Sequence, residues 1–358
     1  MARTVNFVWN FAKQTQIDAL KARSARIILD KKTGKYIGIP NFLTKFELNN
    51  LVSGSSKELG LHSQTVQAVV EQYSTRRVQF KKLLRWRGRK SLGWIPFKTS
   101  GIKLENGVVT FSGKKFKYWK SREFPLDAKI KTGNFSQDKR GHWYFNVSFE
   151  SSEIGLHLKG GTAELGLDIG IKTLAALSDG SKVDRPNLRA QFLEKMRKLE
   201  KTRKCARRKA AKSKRFETLP KAKKEKNLHA KIANKRQDYL HKESTKLIQR
   251  TKLLVVGNVP CKLMNRSRNL SGISLDSGIG QFKAMLNFKS IRAGSTYFEV
   301  SERFSTQTCF KCECKNSLRI GLGVREWICE SCGASHDRDI NAARNILRAG
   351  NALKLRNC

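Results

Sequence analysis

The chain of 358 residues carries 73 Lys plus Arg against 29 Asp plus Glu, a formal charge of +44, and 39% of its residues are hydrophobic. It is too long for one average domain, too apolar for a disordered basic tail, and too basic for a protein without a polyanionic partner. No run of about 18 apolar residues occurs, and Met1 to Ala12 is interrupted by Arg3, Asn6 and Asn10, so the chain reads as soluble and intracellular, with no membrane partner. Nucleic acid is the default partner, because a phosphate backbone releases condensed counterions when lysines and arginines replace them. An anionic membrane would require an amphipathic basic helix or a lipid motif.

Residues 1 to about 90 read as mostly helical, with Val66, Val69, Val70, Tyr73, Val78, Phe80 and Leu84 near helical spacing. The stretch runs into a basic cluster, Arg76, Arg77, Lys81, Lys82, Arg85, Trp86, Arg87, Arg89 and Lys90. An aromatic among arginines stacks on bases or anchors a helix to a core; for any single tryptophan the second reading weighs more. From about 92 to 150 short strands alternate with turns, as at Ile102–Leu104, Asn106-Gly107, Val108–Ser112 and Trp143–Phe149, which predicts a small barrel-like β unit. Residues 151–162 read as a link.

A second region opens with strand Glu164–Ile169, then Gly170, strand Leu174–Leu177 and the turn Ser178-Asp179-Gly180. Leu188 to Arg250 holds 23 basic and 6 acidic residues, and its pause at Phe216–Pro220 predicts two antiparallel helices. A net excess of 17 there favours a phosphate-binding hairpin over a merely solvated one. Leu253–Val256 reads as a buried strand, Ile273–Ala293 as helix and Tyr297–Phe304 as strand.

Three constellations carry chemistry. Cys309-x-x-Cys312 and Cys329-x-x-Cys332, sixteen residues between the pairs, match a structural zinc ribbon; Cys314 and His336 are nearby substitutes, and Cys205, Cys261 and Cys358 have no partner in sequence. Four thiolates leave no open coordination position, so such a zinc holds a fold and performs no hydrolysis. Asp168 stands in the otherwise apolar strand Leu165–Ile169, where a carboxylate is costly without a cation. Asp337-Arg338-Asp339 precedes an amphipathic helix containing Ile340, Ala343, Ile346 and Leu347. Singly, either aspartate is an ordinary helix cap; with Asp168 they make part of a two-metal phosphodiesterase site.

Together, Glu164–Gly180, the Cys309–Cys332 ribbon, Phe304–Cys309, Ile273–Ser290 and Asp337–Ile346 resemble the TnpB family, transposon-encoded RNA-guided DNA nucleases related to the type V CRISPR effectors. The resemblance implies a multidomain α+β chain. A helical recognition lobe and β-barrel wedge would occupy 1–155. An RNase H-like (RuvC) α/β core would span 156–304, interrupted by the hairpin at 188–250, followed by a zinc ribbon at 305–335 and a last RuvC segment at 336–358. It also implies a guide RNA derived from the transposon end, a double-stranded DNA target, catalytic Mg²⁺, structural Zn²⁺ and a prokaryotic, nucleoid-associated cytoplasmic setting. Arg76, Arg77, Lys81, Arg85, Trp86, Arg87, Arg203, Arg207, Arg208 and Arg236 are the candidates for nucleic-acid contact.

Two departures stand out. The family's strand corresponding to Leu253–Val256 ends in a catalytic glutamate, whereas here Gly257-Asn258 follows. One consequence is a nuclease-inactive RNA-guided DNA-binding repressor or remnant. The other is relocation: alternation in Tyr297–Phe304 places Glu302 with Phe298, Val300 and Phe304, beside the strand ending at Gly257, so that Asp168, Glu302 and Asp339 would be the catalytic, magnesium-binding acids. Asp276 is a weaker substitute. The family also has a further strand before the segment resembling Arg3–Phe11, so either the barrel lacks it or the start lies upstream.

Overall fold

The structure is a computed structural model that describes residues 1–22, 24–29, 34, 36–99, 102–105, 107–121, 127–151, 158–212, 223–258, 271–316 and 323–356. Asn106, residues 152–157 of the link, the pause at Phe216–Pro220, Cys261 and Cys358 lie outside the described residues. The chain divides into two units, Met1–Glu153 and Ile154–Cys358. Among the described residues, no helix is long and apolar enough to cross a membrane.

In the first unit, α1 (Ala2–Ala22) buries Val5, Val8, Trp9, Ala12 and Ala19 at helical spacing. A hairpin follows, β1 (Arg26–Leu29) and β2 (Tyr36–Ile39), where helix was expected; its run of isoleucines with Tyr36 was the strand signal. α2 (Lys45–Leu51) begins at a capping box in which Thr44 Oγ1 accepts from the Glu47 amide at 3.2 Å and Glu47 Oε2 accepts from the Thr44 amide at 2.7 Å. After α3 (Ser56–Leu59), α4 (Ser63–Phe80) packs Val66, Val69, Val70 and Tyr73 into the same core as α1. It stops short of Leu84, because Lys81 turns left-handed at φ 51° and leaves Arg85–Arg87 in an irregular segment.

Six strands complete this unit: β3 (Trp94–Lys98), β4 (Ile102–Glu105), β5 (Val108–Phe111), β6 (Lys114–Lys117), β7 (Lys129–Gln137) and β8 (Trp143–Glu150). The expected barrel is instead two antiparallel ladders, β3-β7-β8 and β4-β5-β6. What joins them is side-chain packing: Phe97, Phe111, Phe135 and Phe145 lie with ring centroids 5.3 to 6.1 Å apart. Phe97 and Phe111 are fully buried, each contributing about 2–3 kcal/mol.

The second unit is built on a five-stranded sheet of β9 (Ala163–Asp168), β10 (Ala175–Leu177), β11 (Lys182–Val183), β12 (Thr251–Gly257) and β13 (Thr296–Val300), ordered β11-β10-β9-β12-β13. β9, β12 and β13 run parallel, whereas β10 and β11 form an antiparallel edge. Between them in sequence come α5 (Leu188–Gln191), α6 (Leu193–Lys212), α7 (Lys223–Arg250), α8 (Ser271–Ser277) and α9 (Ile279–Ala293). The helix expected over 273–293 is two helices, divided at Gly278 with φ 68°. The short ribbon strands β14 (Glu326–Ile328) and β15 (Ser335–Asp337) lead into α10 (Arg338–Arg356).

β12 is apolar from Leu253 to Val256 because both faces of the sheet are covered there. Leu254 and Val256 join Leu165, Leu167, Leu240, Leu247, Phe282 and Leu286 on the side of α7 and α9, whereas Leu253 and Val255 join Val300 and Ile346 on the side of α10. α10 lies close against β9, since a Cβ on Gly166 would sit 2.1 Å from the Ala343 carbonyl oxygen.

Candidate active site and metal centre

Strand register sets the site. Leu167 pairs with Val256 and Gly257 with Val300, so the carboxyl ends of β9, β12 and β13 bring Asp168, Gly257 and Val300 into adjacent positions. Parallel strands lie about 4.8 Å apart, and alternation puts Asp168, two residues beyond Gly166, on the face that α10 covers. α10 begins there with Asp339 in its first turn. Asp337 caps this helix through Oδ1, which accepts from the amides of Asp339 at 2.9 Å and Ile340 at 3.1 Å, while its other oxygen meets Lys182 Nζ at 2.6 Å. With Asp337 taken up by the cap, Asp339 is left for the site.

Glu302 reaches the same place by a route that strand alternation does not describe. β13 ends at Val300, and Phe304 is exposed with φ 66°, so the segment after Val300 is a turn in which the Ser305 amide donates to the Glu302 carbonyl at 3.0 Å. The turn folds the Glu302 side chain over Gly257. A Cβ on Gly257 would lie 2.1 Å from Glu302 Oε1, which places the carboxylate in the volume a side chain at 257 would occupy. Among the described residues, Oε1 is buried with no hydrogen-bond partner.

Electrostatics binds the three acids together. Burial, then repulsion from Glu302 and Asp339, pushes the Asp168 carboxyl up to about 7, against the pull of Arg338 and Arg325. Burial likewise pushes Glu302 up to about 7, opposed by Lys283. The repulsion on Asp168 from two like charges, and the Glu302 oxygen with no hydrogen-bond partner among the described residues, together fit a cation-binding site. The three carboxylates are in electrostatic reach without converging as ligands: among the described residues, only the four ribbon cysteines place three or more such donor atoms within 4.8 Å of one another.

Sequence reasoning missed the residues that hold this arrangement. Arg325 Nη1 donates to both Asp339 oxygens, at 3.2 and 3.0 Å. Asn341 and Asn345, one helical turn apart, each donate Nδ2–H to the carbonyls of Ser305 and Thr308, and Asn341 Oδ1 accepts from the Phe310 amide at 2.9 Å. Arg348 adds a bond to the Phe310 carbonyl. This polar stripe on α10 anchors the loop that follows Glu302, and its i, i+4 spacing was legible. Arg325 carried no signal of its own. Asp276 does other work: it accepts from the Arg189 amide at 3.0 Å and lies 3.7 Å from Arg236.

In the ribbon, Cys309 Sγ and Cys332 Sγ lie 3.7 Å apart and Cys312 Sγ and Cys329 Sγ 3.6 Å apart. A tetrahedral ion with metal–sulfur bonds of about 2.3 Å separates its sulfurs by roughly 3.8 Å, so the four thiols fit a closed metal site. Cys314, which is exposed, and His336, which is buried, both lie outside this group.

Of the candidates for nucleic-acid contact, Arg76, Lys81, Arg85, Trp86, Arg207 and Arg208 are exposed. Arg77 lies over the Phe42 ring at 3.8 Å. Arg87 is wedged between Trp9 and Trp94 at 4.4 and 4.7 Å, its backbone gripped at both ends by Asn10 at 2.8 Å, and burial lowers its pKa. Arg203 and Arg236 are held by Glu225 at 3.4 Å and Asp276 at 3.7 Å. Packing thus separates residues that composition alone treats alike into exposed cations and structural ones.

Residues 147–268 match the family model OrfB_IS605, described as "Probable transposase", and 280–346 match that described as Cas12f1-like, TNB domain. A Streptomyces pristinaespiralis protein described as "Putative RNA-guided DNA endonuclease" is 30% identical over 275 residues, covering 73% of this chain and 64% of its own. For the Escherichia coli (strain K12) protein described as "Putative RNA-guided DNA endonuclease InsQ", the figures are 29% over 228 residues, 60% and 55%. The TnpB-like protein L79 of Acanthamoeba polyphaga mimivirus is 27% identical over 128 residues, covering 34% of this chain and 24% of its own. The chain thus spans less than two thirds of the length of these relatives.

Proposed function

Because the chain belongs to the TnpB family, we propose that it is an RNA-guided DNA endonuclease whose hydrolytic site is formed by Asp168, Glu302 and Asp339. The observation that carries this reading is the Glu302 carboxylate lying over Gly257, where the family's strand ends in a glutamate. Asp168, Glu302 and Asp339 would hold Mg²⁺, which when bound would supply positive charge to activate water and stabilise the leaving oxygen. Asp168 on a rigid strand and Asp339 at a capped helix start fix two of the acids, while the loop held by Asn341 and Asn345 fixes the third. Arg325 balances the charge of Asp339 and faces the site with a cation suited to a phosphodiester.

The parallel strands flanked by α7, α9 and α10 are read as the RuvC-like core, α6 and α7 as its basic hairpin, the cysteines as a structural zinc ribbon, and the first unit as recognition lobe and wedge, in a cytoplasmic protein. Base pairing with a guide RNA supplies sequence specificity, and the exposed cations Arg76, Lys81, Arg85, Arg207 and Arg208 grip phosphates, with Trp86 beside them. Gly257 itself favours one second reading, an RNA-guided DNA-binding repressor that no longer cuts.

Cleavage decides between them. Protein co-purified with co-expressed flanking RNA is given Mg²⁺ and a plasmid library carrying a matched target. Cutting by the parent that Asp168→Ala and Glu302→Ala each abolish, with target binding intact, is the expected result; parent binding without cutting overturns the nuclease reading and leaves the repressor.

A further inference from the structure

His336 is buried in β15, its ring centroid 4.9 Å from that of Trp327 on β14, and its Nε2 lies 3.0 Å from Cys309 Sγ. It is excluded from the set of mutually close ligand atoms, so it stands behind Cys309 rather than beside the position of the ion. A metal-bound thiolate offers only lone pairs, so this contact requires Nε2 to carry the proton and donate it. The other three sulfurs take donors from the backbone of their own knuckles: Cys312 from the Cys314 amide, Cys329 from those of Ser331 and Cys332, and Cys332 from that of Ala334. A zinc with four thiolates carries a net charge of about −2, and each N–H aimed at a sulfur spreads that charge and slows its protonation and loss.

We propose that His336 is an outer-sphere residue of the ribbon's metal centre, donating Nε2–H to the Cys309 thiolate and so setting how tightly zinc is held. The position has a second consequence, because Asp337 and Asp339 follow on the same segment, and a ribbon that keeps its zinc keeps the α10 cap in register. The inference rests on the reading of the four cysteines as a zinc site.

The test is zinc transfer from the full-length chain to a chromophoric chelator at neutral pH. His336→Phe keeps a ring against Trp327 but has no donor, and is expected to release zinc about 10–100-fold faster than the parent. His336→Gln restores an N–H and is expected to lie near the parent. Cobalt-substituted parent and His336→Phe should share one four-thiolate spectrum. Equal release from parent and His336→Phe overturns the proposal, as does loss of a ligand from the cobalt spectrum, which would make His336 a direct ligand. If the Phe variant does not fold, the Gln variant decides: retention near the parent supports donation by Nε2, and release tenfold faster overturns it. A parent that holds no tight zinc overturns the zinc reading itself, a result distinct from the others.

Discussion

At the scale of single residues, the decisive relation is between Gly257 and Glu302. Gly257→Ala places a methyl 2.1 Å from Glu302 Oε1 and displaces the end of a flexible side chain, so folding should survive while plasmid cleavage falls by about 100-fold or more. Returning the acid to β12 with Gly257→Glu and Glu302→Gly should recover measurable cutting; recovery by neither arrangement would remove both positions from the site. Asp168 yields a prediction about stability. Its carboxyl keeps its proton to about 7 in the fold but releases it near 4 in the unfolded chain, so the native state binds more protons across that interval. Stability of the metal-free protein therefore falls as pH rises from about 4 through 7. Asp168→Asn removes the effect. Without divalent cations its unfolding free energy should exceed that of the parent by a margin that widens from pH 5 to 8, to on the order of 2 kcal/mol, and Mg²⁺ should narrow the margin. An unchanged difference across that range would show that Asp168 is not strained by its neighbours.

At the scale of elements, α10 is the piece on which most depends. It closes one face of the sheet, supplies Asp339, and clamps the loop after Glu302 through Asn341, Asn345 and Arg348. Its approach to β9 relies on Gly166, where an added Cβ would meet backbone at 2.1 Å and Leu347 at 2.8 Å. Gly166→Ala should cost about 1–3 kcal/mol in thermal unfolding, because neither neighbour is the free end of a side chain. Much of this element was legible beforehand: the cysteine spacing, the acid within an apolar strand and the amphipathic pattern after Asp339 each carry a local chemical signature. What was illegible depended on contacts distant in sequence. The end of β13 at Val300, the turn that returns Glu302 to β12, and the hold of Arg325 on Asp339 are set by packing. Alternation, which is a local rule, pointed Phe304 inward where the chain leaves it exposed. The hairpin of β1 and β2 is the opposite case, a local signal overlooked within a stretch read as helical.

For the whole molecule, the charge of +44 predicts that RNA affinity falls steeply with salt, about 1,000-fold or more between 50 and 200 mM if six or more phosphates are contacted. Fluorescence anisotropy titrations would measure it, and a flat profile would exclude a phosphate-dominated interface. The same titrations on Arg207→Ala and Arg87→Ala should separate an exposed cation, whose loss lowers the salt slope, from a packed one, whose loss lowers the melting temperature. The closure of the sheet by α10 carries a consequence in time. Asp168 and Asp339 come from opposite ends of the second unit, and Lys354 pairs with Glu164 across 190 residues of chain. At about 5–20 residues per second of synthesis, the partner helix follows its strand by roughly 10–35 s. Contacts so far apart in sequence also fold slowly once both are present. Under the function proposed above, a nascent chain therefore exposes the basic surface of α6 and α7 to RNA well before Asp339 is made, and meets its guide before it is able to cut.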